Sequence, residues 1–480
     1  MAKSVCALIL IVSSLMFLLV NVQSCTLFFP PSPKSAAVDG TSAVDLGGQN
    51  YAYSRLNKRQ AKIYYALKEL AKKMGPGTYE IGNDSEENRR DLYIAHTALR
   101  NDRPDMFWIP GSYILITDNS SNFSADNSSR LSADNVPNLS ADNSSRLSAD
   151  NSSRLSADNS SRLSADNSSK LSAAYQTGNN GELTDLYNEK YNTPEKVSAI
   201  QQKIAEKLDG SFMPKLEPGA DMSRYELELV IHGWLSDNVS YDKKAAAKIS
   251  EDPDRAQEQY ANALNIVGSI LDGKAVCEGY ARAFQYLCGI AGIESGIVSG
   301  ITSGIAGIAG SSADGEPHMW NVVKIDGKWY HADATWNDID GKPFHTYFNL
   351  DDENIAADHR AYEDISSVRT DDWELLPGQP YPSFNIMPVC DSLDDNYHIK
   401  AGTWIFVDED IADRLAEIMI RSAEAGKGFL EVYVQAGIPD NIRLIAENAV
   451  TAANSALSSN NIGSYKITKL NTRGLLIEWE

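Results

Sequence analysis

Three residues within one stretch carry the types and spacing for nucleophilic acyl chemistry: Cys277, His318 and Asp333. Leu271-Asp272-Gly273-Lys274-Ala275-Val276 reads as a turn that runs into a helix opening at Cys277. Cys277, Tyr280, Ala281, Phe284, Leu287 and Cys288 then follow helical spacing on one inward face. At the N-terminal end of that helix, free backbone N–H groups and the helix dipole favour a thiolate. Cys288 lies three turns further on, outside that field, and reads as an inert core residue.

The histidine and aspartate fall on a hairpin whose register can be worked out. Val322-Val323-Lys324-Ile325 and Trp329-Tyr330-His331-Ala332 flank Asp326-Gly327, a strong two-residue turn signal. If Ile325 faces Lys328, then Val322 faces His331, Trp320 faces Asp333 and His318 faces Thr335. His318 and Asp333 then share a face as diagonal neighbours, within side-chain reach at roughly 7–8 Å between backbones. A carboxylate that accepts from one imidazole nitrogen while the other faces a thiol makes a nucleophile, base and orienter. His331 shares the parity of Asp333 but stands two residues away on the same strand, so it reads as packing.

Gly273 to Ala283, Glu316-Pro317-His318-Met319-Trp320-Asn321 and Asp326 to Trp336 resemble the bacterial transglutaminase-like superfamily. The resemblance continues through Tyr347-Phe348-Asn349-Leu350 and Asp358-His359, and upstream through Trp234 to Asp242, ending Asn238-Val239-Ser240-Tyr241-Asp242. It covers about residues 223 to 370. It implies an α+β, papain-like core with Cys277 as nucleophile, His318 as base and Asp333 as orienter. Residues 51 to 222 resemble more loosely the N-terminal segment of clostridial-type members. Two features depart from the pattern. Residues 295 to 315 read as a long loop of Gly, Ser and Ile, and no Gln stands shortly before Cys277 as an oxyanion donor. The Cys277 backbone N–H supplies one donor; no second is legible.

Around this core, the elements follow from periodicity. Ser223 and Glu226 form a capping box for a helix over Ser223 to Asn238. Upstream, Tyr53, Leu56, Ile63, Tyr64, Leu67 and Leu70 give a helix over Tyr51 to Met74, stopped by Gly75-Pro76-Gly77. A second helix is expected over Asp91 to Arg100, and extended chain over Met106 to Ile116. From Phe123 an octapeptide, Leu-Ser-Ala-Asp-Asn-Ser-Ser-Arg, recurs through Leu171. One apolar residue per repeat cannot build a core, so residues 123–174 are expected to be a disordered insertion in a surface loop. Past residue 375, strand and helix alternate: Trp404 to Val407, Ala412 to Glu424, Phe429 to Val434, Ile442 to Leu457 and a hairpin over Tyr465 to Trp479. That reads as a separate C-terminal α/β sandwich module without visible chemistry. The expected organisation is residues 1–24 signal peptide, 25–50 tether, 51–222 N-terminal segment, 223–375 catalytic domain and 376–480 accessory domain.

The chain start predicts export. Lys3 precedes an apolar run from Val5 to Val20, shorter than the ~20 residues of a spanning helix. Val22-Gln23-Ser24-Cys25 then fits either ordinary signal cleavage or a bacterial lipobox with Cys25 as the lipidated residue. Thr26 to Gly48, with Pro30, Pro31 and Pro33, reads as a tether. A formal net charge of −22 argues against a nucleic-acid partner. Five cysteines without a CxxC pair exclude a disulfide scaffold and a four-cysteine zinc module. No cofactor or metal is expected: Asp351, Asp352 and Glu353 are not at EF-hand spacing. The function expected is acyl transfer on amide bonds of a protein or cell-wall peptide, hydrolysis favoured over transamidation. The alternative is a non-catalytic surface-binding module of the same fold.

Overall fold

The computed structural model describes residues 50–73, 77–82, 86–109, 112–117, 129–132, 171–175, 190–216, 222–251, 259–303, 315–339, 341–362, 387–458 and 461–479. Leu46–Glu480 forms one compact unit, and a second unit, Met1–Asp45, lies outside the described residues. The expected signal peptide, Cys25 and nearly all of the tether fall there. Among the described residues no helix is long and apolar enough to cross a membrane.

The N-terminal part contains α1 (Lys58–Lys73), β1 (Gly77–Gly82), α2 (Glu86–Asp102), β2 (Ser112–Thr117), β3 (Ser129–Ser132), β4 (Leu171–Tyr175) and α3 (Pro194–Ser211). The helix expected from Tyr51 begins only at Lys58, after a short turn over Tyr53–Arg55. Residues 106–109, expected to be extended, form turn and bend instead, and the strand starts at Ser112. The four strands pair in the order β1-β4-β2-β3. This corrects the expectation that residues 123–174 are disordered throughout: Ser129–Ser132 and Leu171–Tyr175 both pair with Ser112–Thr117. Backbone N–H and C=O groups make such ladders without needing apolar side chains. The repeats between these strands lie outside the described residues.

The core that positions the site begins at α4 (Arg224–Asn238). Ser223 caps it, accepting from Glu226 N at 3.2 Å, while Glu226 Oε2 accepts from Ser223 N at 2.8 Å. Its buried Ile231, Trp234 and Leu235 share one apolar cluster with Tyr280, Phe284 and Leu287. After it come β5 (Ser240–Tyr241), α5 (Lys243–Glu251), β6 (Lys274–Ala275) and α6 (Cys277–Ile290). Gly273, at φ +65°, turns the chain into β6, a conformation that penalises any Cβ. Next come β7 (Ser295–Thr302), β8 (Glu316–Ile325), β9 (Lys328–Ala332), β10 (Asp338–Ile339), β11 (Lys342–Pro343), β12 (Phe348–Leu350) and β13 (His359–Ala361).

Five of these form the main sheet, in the order β12-β9-β8-β7-β13. The β8–β9 hairpin has the expected register, Ile325 facing Lys328 and Val322 facing His331. Asp326 and Gly327 both have positive φ, +47° and +90°, as a type I′ turn requires. The Gly-rich stretch expected to be a loop is corrected: residues 295–302 are β7, paired with β8 on one side and β13 on the other. Its glycines admit close neighbours. A Cβ on Gly300 would stand 2.3 Å from Arg360 O and 2.7 Å from the Trp320 ring. Residues 304–314 lie outside the described residues.

The C-terminal part comprises β14 (Trp404–Ile405), α7 (Ile411–Glu424), β15 (Phe429–Val434), α8 (Ile442–Ala456), β16 (Tyr465–Lys469) and β17 (Gly474–Trp479). Its strands pair in the order β14-β15-β17-β16, and the two helices share a core with the sheet. The expectation of a separate module needs correction, because this part packs directly on the main sheet. Trp404 and Tyr433 join Tyr347, Leu350 and Ile355 in one buried cluster. Glu431 accepts from His345 N at 2.6 Å, and Arg473 Nη1 donates to Asn354 Oδ1 at 3.1 Å. A helical and strand periodicity states which face is apolar but not which polar side chains cross to a neighbour.

Candidate active site

Cys277 is the first residue of α6, and no side chain caps that helix end. The residue is partly exposed. Cys288, on the next turns of the same helix, is fully buried, and burial pushes its thiol well above its ordinary pKa. Parallel pairing of β5 with β6 sets Tyr241 opposite Ala275, close enough to Cys277 for their charges to interact.

His318 lies on β8 and Asp333 one residue past the end of β9, where the Asp333 N–H donates to Tyr347 O at 3.0 Å. His318 Nε2 donates to Asp333 Oδ2 at 2.7 Å. Asp333 Oδ1 accepts from the N–H groups of Thr335 and Trp336 at 2.9 and 3.1 Å. Burial disfavours a charged His318, yet the Asp333 charge, its hydrogen bond and Cys277 outweigh that and push the imidazole up to about 10. Burial likewise opposes the Asp333 carboxylate, but His318 and then His359 hold it well below the usual carboxylate range. Cys277, the expected nucleophile, and His318 and Asp333, the expected base and orienter, are therefore brought together in one line. This arrangement stabilises the His318 imidazolium.

His359 belongs to the Asp358-His359 pair, to which the sequence assigns no role. It reaches Asp333 from the far edge of the sheet, Nε2 to Oδ2 at 3.0 Å, while its Nδ1 meets Asp358 Oδ1 at 2.7 Å. Asp358 Oδ2 accepts from Tyr347 OH at 2.6 Å and from Thr472 Oγ1 at 3.2 Å. The only hint in the sequence was the adjacent pair Asp358-His359; the strand that delivers it pairs with residues far upstream. Trp320 and Trp336 wall this line, the Trp320 ring stacked on His318 at 6.1 Å and Trp336 against His359 at 4.7 Å.

Among the described residues, two groups of side chains bring metal-type ligand atoms within 4.8 Å of one another: His318, Asp333 and His359, and His331, Asp352 and Cys390. In the first, each nitrogen–oxygen contact is accounted for as a hydrogen bond. In the second, Trp320 Nε1 donates to His331 Nδ1 at 3.1 Å, which leaves the ring proton on Nε2, aimed at Asp352 Oδ1 at 2.9 Å. That tautomer offers no free lone pair toward Asp352 and Cys390. His331 is thus a packing residue of the sheet, as its position two residues from Asp333 suggested.

Residues 214–334 match the family model of the transglutaminase-like superfamily. The segment is similar to transglutaminase-like domains. A stretch of 104 residues is 32% identical to the kyphoscoliosis peptidases of Mus musculus and Homo sapiens, covering 22% of this chain and 14% of each of those proteins. The chain therefore spans only a small part of the length of these curated relatives. A solved structure titled "Crystal structure of a TGase" aligns with 35% of this chain and 42% of its own, at 19% identity and a TM-score of 0.24.

Proposed function

We propose that the chain is an exported cysteine-dependent acyl-transfer enzyme acting on amide bonds of proteins or cell-wall peptides. The observation that carries this reading is the line from the helix-start Cys277 through His318 to Asp333, closed at 2.7 Å. The Cys277 thiolate attacks the amide carbonyl carbon and forms a C–S bond. His318 gives its proton to the nitrogen as the C–N bond breaks, and the amine leaves. Water, deprotonated by His318, then attacks the thioester, releasing a carboxylic acid and restoring the thiol; a primary amine in place of water gives a new amide. The Cys277 N–H is one donor for the developing oxyanion. The match to proteins named as peptidases supports hydrolysis over transamidation. Export rests on the Lys3 n-region and the apolar run before Cys25, with Cys25 as the lipidated residue.

The test is incubation of the purified protein with a peptide library, with and without a primary amine, read by mass spectrometry. Cleaved peptides in both arms support a peptidase, and amine adducts support a transamidase. No product in either arm, with Cys277 alkylating like an ordinary thiol, leaves the non-catalytic binding module. For export, Cys25→Ala is expected to move the protein from the membrane fraction to the medium.

A further inference from the structure

Asp333 accepts from two imidazoles, and only one of them faces the cysteine. We propose that His359 is a positioning residue: held doubly protonated between two carboxylates, it clamps Asp333 against His318 and supplies a fixed positive charge behind the thiolate–imidazolium pair. The proposal rests on the acyl-transfer reading of Cys277 and His318.

The argument is a count of donors and acceptors. Asp333 receives four donors: His318 Nε2, His359 Nε2, and the N–H groups of Thr335 and Trp336. Asp358 receives three: His359 Nδ1, Tyr347 OH and Thr472 Oγ1. Carboxylates so surrounded by donors are ionised and carry no proton to give. Both ring nitrogens of His359 face such an oxygen, at 2.7 and 3.0 Å, so both must carry hydrogen. The His359 side chain is fully buried, so no water can replace either carboxylate. The titratable groups set against it are Asp333, Asp358, His318, Tyr347 and His331, and the rings of Trp320 and Trp336 pack on it. One imidazolium set between two carboxylates leaves a single net negative charge for His318 to share.

The strand that carries His359 can approach because Gly300 has no side chain. The far end of the line belongs to the C-terminal part: Thr472 donates to Asp358, and the neighbouring Arg473 holds Asn354. The C-terminal part therefore completes the support of the orienting carboxylate rather than standing apart from it.

The experiment is the pH profile of Cys277 alkylation in the full-length wild type and in His359→Gln, with folding checked by circular dichroism. Gln keeps one N–H donor toward Asp333 and loses the charge. Without that charge the thiolate is harder to form, and His318 no longer divides the Asp333 charge with a second imidazolium. Both the rising and the falling limb are expected to move upward by about one pH unit. A merely structural role lowers the rate or the thermal midpoint but leaves the profile superimposed on wild type, and that result overturns the proposal. Should His359→Gln not fold, or should wild-type Cys277 titrate as an ordinary thiol and so remove the acyl-transfer reading, the decision passes to a wild-type measurement. Nitrogen-15 histidine spectra at pH 8 are expected to show His359 with both ring nitrogens protonated; a bare nitrogen on that ring overturns the assignment.

Discussion

Two cysteine–histidine–aspartate groups meet on histidines of the main sheet, Cys277 with His318 and Asp333, and Cys390 with His331 and Asp352, and they differ in almost everything except residue type. Cys277 stands partly exposed at a helix N-terminus; Cys390 is buried in irregular chain, and burial drives its thiol far up. His318 is pushed up by Asp333, whereas burial pushes His331 down despite Asp352. Trp320 touches both, stacking on His318 but donating its indole N–H to His331. That one hydrogen bond occupies the lone pair with which His331 could take a proton from a thiol. Residue types alone therefore do not make a nucleophile; the helix field, access to solvent and the tautomer decide.

The largest effect expected from breaking this comparison is on turnover. Cys277→Ala should reduce acyl transfer to background and leave thermal stability within about 1 kcal/mol. Cys390→Ala should keep activity per folded molecule and lose about 1 kcal/mol to the cavity. In the native state an alkylating reagent should label Cys277 and spare Cys288 and Cys390; rapid labelling of Cys390 would break the contrast. Next in size, Asp333→Asn should lower kcat/KM by about 10³–10⁴-fold through the wrong imidazole tautomer. Asp352→Asn, with a side chain half exposed, should leave kcat/KM unchanged.

An intermediate loss is expected from Gly300→Ala. The added methyl must displace Arg360 O or Trp320, and with them the strand bearing His359. A displacement near 1 Å can cost about a hundredfold in rate, so a fully active variant would show that the strand's position is not critical. The smallest effect is in stability against pH, and here the two histidines have opposite signs. His318 is raised from 6.5 to about 10, so its contribution is complete below about pH 6.5 and is lost as pH rises toward 10. His331 is lowered, so it favours the folded state above its ordinary value and costs stability as the pH falls below 6.5. Thermal midpoints from pH 5 to 10 should show the alkaline loss reduced in His318→Gln and the acid loss reduced in His331→Gln. Equal slopes in the wild type and both variants would contradict the signs.

Much of the site's local geometry was readable because it depends on short-range rules. Asp326-Gly327 specifies a type I′ turn, and the turn sets the register that puts His318 and Asp333 on one face. The capping box at Ser223 and the periodicity after Gly273 place α4 and α6 to within a residue. The same local reading failed for residues 295–302, where Gly and Ser suggested a loop. Those glycines serve a strand pressed between two neighbours, and no local propensity reports a close approach by distant chain.

What the sequence by itself determined, then, is several of the helices, the hairpin register and the triad candidates, because turn chemistry and side-chain periodicity act between residues near in the chain. Only the tertiary structure decided which second imidazole reaches Asp333, that Tyr241 stands by Cys277, and that Thr472 lends a donor to Asp358. Those contacts follow from the strand order β12-β9-β8-β7-β13 and from the C-terminal sheet packing on it. Both are set by the burial of whole faces, for which many local patterns are equivalent, and the polar groups that meet across those faces are paired only once the faces have met.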